Sequence, residues 1–406
     1  MARTVAVLPA GSRLSDYISL GVLMRTFPLD KVRDALRASG TASRRQRNLP
    51  AHLTVYYVIA LALYMQAAYQ EVLRCLLEAV RWILPVDAVV KVCGPSAISQ
   101  ARSRLGAEPL RCLHDQVVRP IATKATRGAW YRGWRVVSLD GSTLDVADQA
   151  ENADAFGRPG AGGGQSGYPQ LRFASLVENG THVLFASQMG GCRVSESALA
   201  EGVYRHLTAG MLCLAGRGLF SFRAWNLARA QKAELVWRVK KNFRLRPERY
   251  LPDGSYLSQV FPSGADWKKR THGVTVRVID YQLAGIAEAE PIYRLLTTVL
   301  DAEQAPAQEL AALYGQRWEI ETALDELKVH LRGARIVLRS KTPELVRQQF
   351  YGLLLAHFAI RNLMHEAALL AGVDCDELSF LHAVRVVRRQ MGRYGAIPPS
   401  GEKSVL

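Results

Sequence analysis

The chain has 406 residues, 49% of them hydrophobic, and a formal net charge of +16 from 52 Lys+Arg against 36 Asp+Glu. That length can bury a large core and suits two or three domains, while the charge favours a polyanionic partner and says nothing about fold. Six cysteines (Cys75, Cys93, Cys112, Cys192, Cys213, Cys375) stand without a close pair, which argues against a zinc knuckle, a redox dithiol or a secreted disulfide scaffold.

The first 16 residues hold too short an apolar run for a signal peptide. The most apolar stretch, LTVYYVIALALYM at 53–65, falls short of the ~20 residues of a membrane span and reads as a buried helix. The expectation is a cytoplasmic, nucleoid-associated protein that meets no membrane. Residues 26 to about 120 read as helical, beginning with PLDKVRDALRASG, closed by Gly40. PVDAVVKVCGPSAISQARSRLG reads as a helix, a Gly94-Pro95 turn, Ser96 as N-cap, a second helix and Gly106 as its stop. With Arg102 and Arg104 facing out, the pair fits a helix-turn-helix DNA reader or an ordinary helical hairpin equally.

The pattern changes near residue 134. WRVVSLD predicts a strand ending at Asp140; QLRFASLVEN and THVLFASQM predict two more, joined at ENG. A helix at 195–208, the strand MLCLA at 211–215, a helix through SFRAWNLARAQ and the strand ELVWRV follow. A meander followed by α/β alternation implies a mixed sheet flanked by helices. From 240 to about 300 the segment reads as basic hairpins, with turns at Asp253-Gly254 and Ser263-Gly264. Its lysines and arginines, Lys268, Lys269, Arg270 and Arg277 among them, interleave with aromatics, Trp237 and Trp267 included, as suits backbone contact plus base stacking. The glycine-rich GRPGAGGGQSG contains a G-x-G-x-x-G at 162, 164 and 167, but a strand follows it, so it reads as a surface loop.

YGQRWEIETALDELKVHLRG at 314–333 reads as one helix with two faces. With Tyr314 at zero, Arg317 falls near ~300°, Glu321 near ~340° and Lys328 near ~320°. Ile320, Ala323, Leu324, Leu327 and Leu331 form the opposite, buried stripe. Asp140, at a strand end, and Glu321 could share a hard divalent cation, and in a basic protein that suggests metal-assisted attack on phosphodiesters. Arg317 and Lys328 would then grip flanking phosphates, and Tyr314 would bond a phosphate or stack on a base.

YGQRWEIETALDELK resembles the Y-(2)-R-(3)-E-(6)-K signature of bacterial insertion-sequence transposases of the DDE class. VVSLDGSTLDV resembles the segment carrying their first catalytic aspartate, and GYPQLRFASLVENGTH and the N-terminal RQRNLPAHLTVYYVIALALY also resemble family segments. The resemblance implies an RNase H-like core of mixed sheet and flanking helices, interrupted by a β-rich insertion and preceded by an all-helical DNA-binding domain. The implied layout is 1–125 helical, 130–240 catalytic core, 241–302 basic insertion, 303–392 the helical remainder of the core, and 393–406 a tail. It implies Mg²⁺ or Mn²⁺ held by Asp140 and Glu321, double-stranded DNA carrying terminal inverted repeats, target DNA, and a homodimer on paired ends. Tyr314, Arg317 and Lys328 correspond to the other signature members, which in relatives contact DNA, and Trp237 and Trp267 are candidates to stabilise an extruded base.

One position departs from the pattern. Where relatives carry a strand followed by Ala-Asp-Arg-Gly, this chain reads MLCLAGRG, so the second aspartate is Gly216. The nearest acids along the chain, Glu201 and Glu234, lie across helices. The reading is a transposase with impaired strand cleavage, against two rivals: an inactive transposase-derived DNA-binding protein, and a related metal-dependent nuclease.

Overall fold

The computed structural model describes residues 21–43, 49–77, 93–161, 164, 165, 167–282, 290–333 and 337–390. The helix expected before Gly94, Gly162 of the glycine loop and the tail at 393–406 fall outside them. Two compact units emerge: Met1–Arg119 with Leu144–Gln170 and Asp325–Leu406, and Pro120–Thr143 with Leu171–Leu324.

The first unit is largely helical. Ala51–Leu63 is buried at every position from Leu53 onward, as a helix apolar all round must be. It packs on the 29-residue helix Pro343–Ala371. Their approach is close enough that a Cβ on Gly352 would lie 2.9 Å from the Val58 carbonyl oxygen. No helix among the described residues is long and apolar enough to cross a membrane. Pro95–Leu105 starts two residues earlier than expected, with Gly94 as N-cap and Pro95 in the first turn, where a missing N–H costs nothing. Gly106 ends it at φ 70°. Arg102 corrects its assignment to the outer face. It is 2% exposed, and its guanidinium donates to Gln348 Oε1 at 2.9 Å and Ser340 Oγ at 3.0 Å, so it joins helices instead of meeting DNA. Arg104 is exposed.

His357 and His365 are buried, as expected of core or rim histidines. His357 Nε2 lies 3.1 Å from Glu326 Oε2, and Arg361 donates to the same carboxylate from Nε at 2.8 Å and again from Nη2. This buried network holds Glu326–Leu331, a π-helical turn. Removing one partner leaves a charge uncompensated, so Glu326→Ala is expected to cost about 3–5 kcal/mol in denaturant unfolding.

The second unit is built on a sheet. Among the described residues the strands are β1 (Trp130–Tyr131), β2 (Trp134–Asp145), β3 (Gly160–Ala161), β4 (Gly164–Gln165), β5 (Gln170–Glu178), β6 (Val183–Gly191), β7 (Met211–Ala215), β8 (Glu234–Val239), β9 (Arg249–Tyr250), β10 (Tyr256–Val260), β11 (Val274–Tyr281) and β12 (Tyr293–Thr297). Ten form one sheet in the order β6-β5-β2-β7-β8-β12-β11-β10-β9, with β1 hairpinned to β2, and β3 and β4 form a separate ribbon. β2, β7 and β8 run parallel, the others antiparallel to their neighbours where register is given. Central parallel strands lack a wet face, which explains the unbroken burial of MLCLA and of Val136 to Leu139. This is the RNase H-like mixed sheet flanked by helices, with its β-rich insertion. The insertion strands extend the core sheet through β12, which pairs with β8.

Two details differ from expectation. β2 runs past Asp140 to Asp145, and Ser263-Gly264 is no hairpin turn: Ser263 Oγ accepts from Asp266 N at 3.1 Å and caps the helix Gly264–Lys269. Arg277, expected among the basic residues of a DNA-facing segment, is fully buried. It donates to Ser255 Oγ at 2.8 Å and the Ala305 carbonyl at 2.7 Å, and it pairs with Asp253.

Candidate active site

The signature stretch is not one straight helix. Ala307–Gly315 and Trp318–Asp325 are separate helices, joined by a tightened turn in which Arg317 N donates to Tyr314 O and Ile320 N to Arg317 O, three residues back. The predicted inner stripe is nonetheless buried throughout, from Ile320 to Leu331. The outer face divides. Tyr314 is 7% exposed, and its hydroxyl donates to the Ala215 carbonyl at 3.3 Å, so burial pushes its pKa up and leaves it packed in the core. Trp318 beside it is 64% exposed. Lys328 lies half-buried on the π-helical turn of the helical unit.

Arg317 and Glu321 do meet Asp140. The Arg317 guanidinium donates from Nη1 to Asp140 Oδ2 at 2.8 Å and from Nη2 to Glu321 Oε1 at 3.1 Å, bridging strand and helix. Asp140 Oδ1 accepts from the Gly141 N–H at 2.9 Å. The bridge is built on a buried amide. Asn179, fully buried, accepts from Ser138 Oγ at 2.8 Å, two residues before Asp140, and donates to the Gln316 carbonyl at 3.1 Å, one residue before Arg317. Next to it, Gly180 N donates to Glu319 Oε2 at 2.5 Å. Gly180 sits at φ +76°, where a Cβ would fall 2.2 Å from the Arg127 carbonyl oxygen, so only glycine closes this turn.

Gly216 lies beside Asp140. Leu139 pairs with Ala215 in the parallel register of β2 and β7, so the next residue along each strand is Asp140 and Gly216. A Cβ at 216 would meet nothing within 4 Å. A third carboxylate that sequence reasoning missed stands here. Glu196, first residue of the helix Glu196–Val203, lies against Gly141, where a Cβ would fall 2.6 Å from its Cγ, and burial, then the Asp140 charge, raise its pKa. The two acids nearest to residue 216 along the chain are engaged elsewhere: Glu201 pairs with Arg223 at 2.9 Å, and Glu234 accepts from Thr298. Among the described residues no group of three or more His, Cys, Asp or Glu is gathered as a metal cage. The oxygen donors present are nonetheless of the type that a hard divalent ion takes.

Of the two tryptophans considered for an extruded base, Trp237, on β8 beside the insertion, is fully buried. It packs edge-on to Trp225 with centroids 5.5 Å apart and against Tyr204 at 5.9 Å, so no ring face remains for a base. Lys268, Lys269 and Arg270 are exposed at the end of Gly264–Lys269, although Arg270 already pairs with Glu248 and covers the Phe261 ring at 5.0 Å. Trp267 and Lys268 line a cavity of about 270 Å³ with Phe243, Arg244 and Phe261. The Trp267 indole N–H there is buried without a hydrogen-bond partner.

Comparison with known proteins decides the family. Residues 132–359 match the model of the transposase DDE domain, and residues 17–115 that of the insertion element 4 transposase N-terminal region. The chain belongs to the IS4 family of DDE transposases. It is 30% identical over 393 residues, 95% of this chain and 84% of the other, to transposase InsG for insertion sequence element IS4 of Escherichia coli (strain K12). It is 24% identical over 178 residues, 43% of this chain and 56% of the other, to InsZ of the same strain, itself only provisionally described as a transposase. In this IS4-family chain the two matched regions separate the helical N-terminal part from the sheet that carries Asp140.

Asn179→Ala would leave the Ser138 hydroxyl and the Gln316 carbonyl without their amide partner. The expected cost is about 1–3 kcal/mol by chemical denaturation.

Proposed function

We propose that the chain is a DNA transposase that binds the terminal inverted repeats of an insertion sequence as a homodimer and cuts and joins DNA there, with cleavage weakened by Gly216. The observation that carries the reading is the meeting of Asp140 and Glu321 on one guanidinium, inside the region matched by the DDE domain model. Asp140 and Glu321 would hold Mg²⁺ or Mn²⁺, which when bound supplies Lewis-acid activation of the oxygens exchanged at phosphorus. Arg317, released from Asp140, offers a planar fork to a phosphate oxygen pair, and Lys328 a point charge. Tyr314 acts from within, holding the strand end before Gly216 through the Ala215 carbonyl.

The Trp267 cavity suits an extruded base, with aromatic faces for stacking and Arg244 and Lys268 for its phosphate. Lys269 and Arg104, both exposed, add sequence-independent contacts to double-stranded DNA, both element ends and target. A second reading, a catalytically silent DNA-binding relative, is favoured by Gly216 alone.

Cleavage of a supercoiled plasmid bearing the native element ends tests the reading. Gly216→Asp is expected to cut at least about 10-fold faster in Mg²⁺, equivalent to roughly 1.4 kcal/mol at the transition state. Equal, robust cutting by both forms rejects the impairment. No cutting by either form, with end binding intact, favours the silent relative. A second measurement concerns binding: Lys268→Ala with Lys269→Ala should lower the slope of log affinity against log salt by about 1 for each phosphate no longer neutralised.

A further inference from the structure

We propose that Arg217 and Arg238 form a site for a backbone phosphate of the bound DNA, and that the Glu290 carboxylate occupies this site until DNA displaces it. This rests on the reading of the chain as a transposase that binds element ends.

Sheet register places the site. Leu139, Ala215 and Trp237 are level across the parallel strands β2, β7 and β8, so Asp140, Gly216 and Arg238 form the next row. Neighbouring strands lie roughly 4.8 Å apart, which sets the Arg238 backbone about 10 Å from that of Asp140. Between them a Cβ on Gly216 would meet nothing within 4 Å, so no wall at that position divides Arg238 from Asp140. Arg238 is held in place: its guanidinium lies over the Tyr293 ring at 4.5 Å, and Tyr293 stacks on Tyr281 at 5.4 Å. Arg217, the residue after Gly216, approaches from the strand end. Glu290 Oε1 accepts from Arg217 Nη1 at 2.7 Å and lies 2.7 Å from Arg238 Nη2.

One carboxylate oxygen shared by two guanidinium groups stands where a phosphate oxygen would, and two arginines against one acid leave a net positive charge. The hydrogen bond from Arg238 holds the Glu290 carboxyl below the usual glutamate range, with the charges of Arg238, Arg217 and Lys241 adding to it. Glu290 is therefore ionised at neutral pH and competes with phosphate for both forks. Its side chain is 33% exposed, so it has a way out to water. DNA already gripped elsewhere presents its phosphate at high effective concentration and wins that competition, whereas a loosely held duplex does not.

The test is equilibrium binding of the full chain to a duplex carrying the native element end, over a series of salt concentrations without divalent metal. Glu290→Gln is expected to bind at least about 5-fold tighter than the parent at low salt, since a like charge facing phosphate is removed. Arg217→Gln and Arg238→Gln are each expected to lower the slope of log affinity against log salt by about 1. The decisive variant combines all three: without the arginines, Glu290→Gln should bring no gain. A gain that persists without them is a general charge effect and overturns the proposal. Glu290→Gln that binds like the parent, or more weakly with a lowered unfolding temperature, also overturns it, while end binding by the parent leaves the transposase reading standing. If the parent fails to bind the end, both fall.

Discussion

Both arms of the site hang on the side chain of Asn179. Its amide holds the strand before Asp140 on one side and the turn before Arg317 on the other, and its own N–H donates to the Val136 carbonyl at 3.1 Å. A buried amide with its partners in place resists sliding, because any shift leaves polar groups unpaired where water cannot reach them. Gly180 completes the turn in a backbone conformation closed to other residues. The placement of Asp140 against Arg317 is therefore set by the fold around the central strand β2.

Much of this architecture was legible because burial writes itself into sequence. MLCLA and WRVVSLD read as strands since parallel central strands are apolar on both faces, and the stripe from Ile320 to Leu331 read as buried because helical spacing survives a local break. The outer face was less legible. An ideal angle per residue assumes bonds four residues back, but the chain tightens at Arg317 and widens into a π turn at Glu326, so Tyr314 turned inward. Glu196 was illegible for another reason. It lies far from Asp140 along the chain, and its only local signs were a capping Ser195 and the glycine at 141.

Net charge alone does not say which basic residues face outward. Arg102, Arg277 and Arg361 each contribute to the net charge yet are 2% exposed or less, fixed by carbonyls, amides and carboxylates. A guanidinium can be buried when its fork is fully used, and then it serves as a cross-link. Lys268, Lys269 and Arg104, by contrast, are among the basic residues that are exposed. Trp237 makes the same point for aromatics: inside a basic, aromatic-rich segment it is core.

Gly216 carries a consequence of a different kind. Its backbone is open to other side chains, and no neighbour lies within 4 Å of the place a Cβ would occupy. Folding therefore exerts no pull on residue 216. Substitutions here escape the quality control that removes unstable variants, since they cost the fold little. A copy that changes at this position therefore keeps its abundance, whatever the change does to the chemistry beside Asp140.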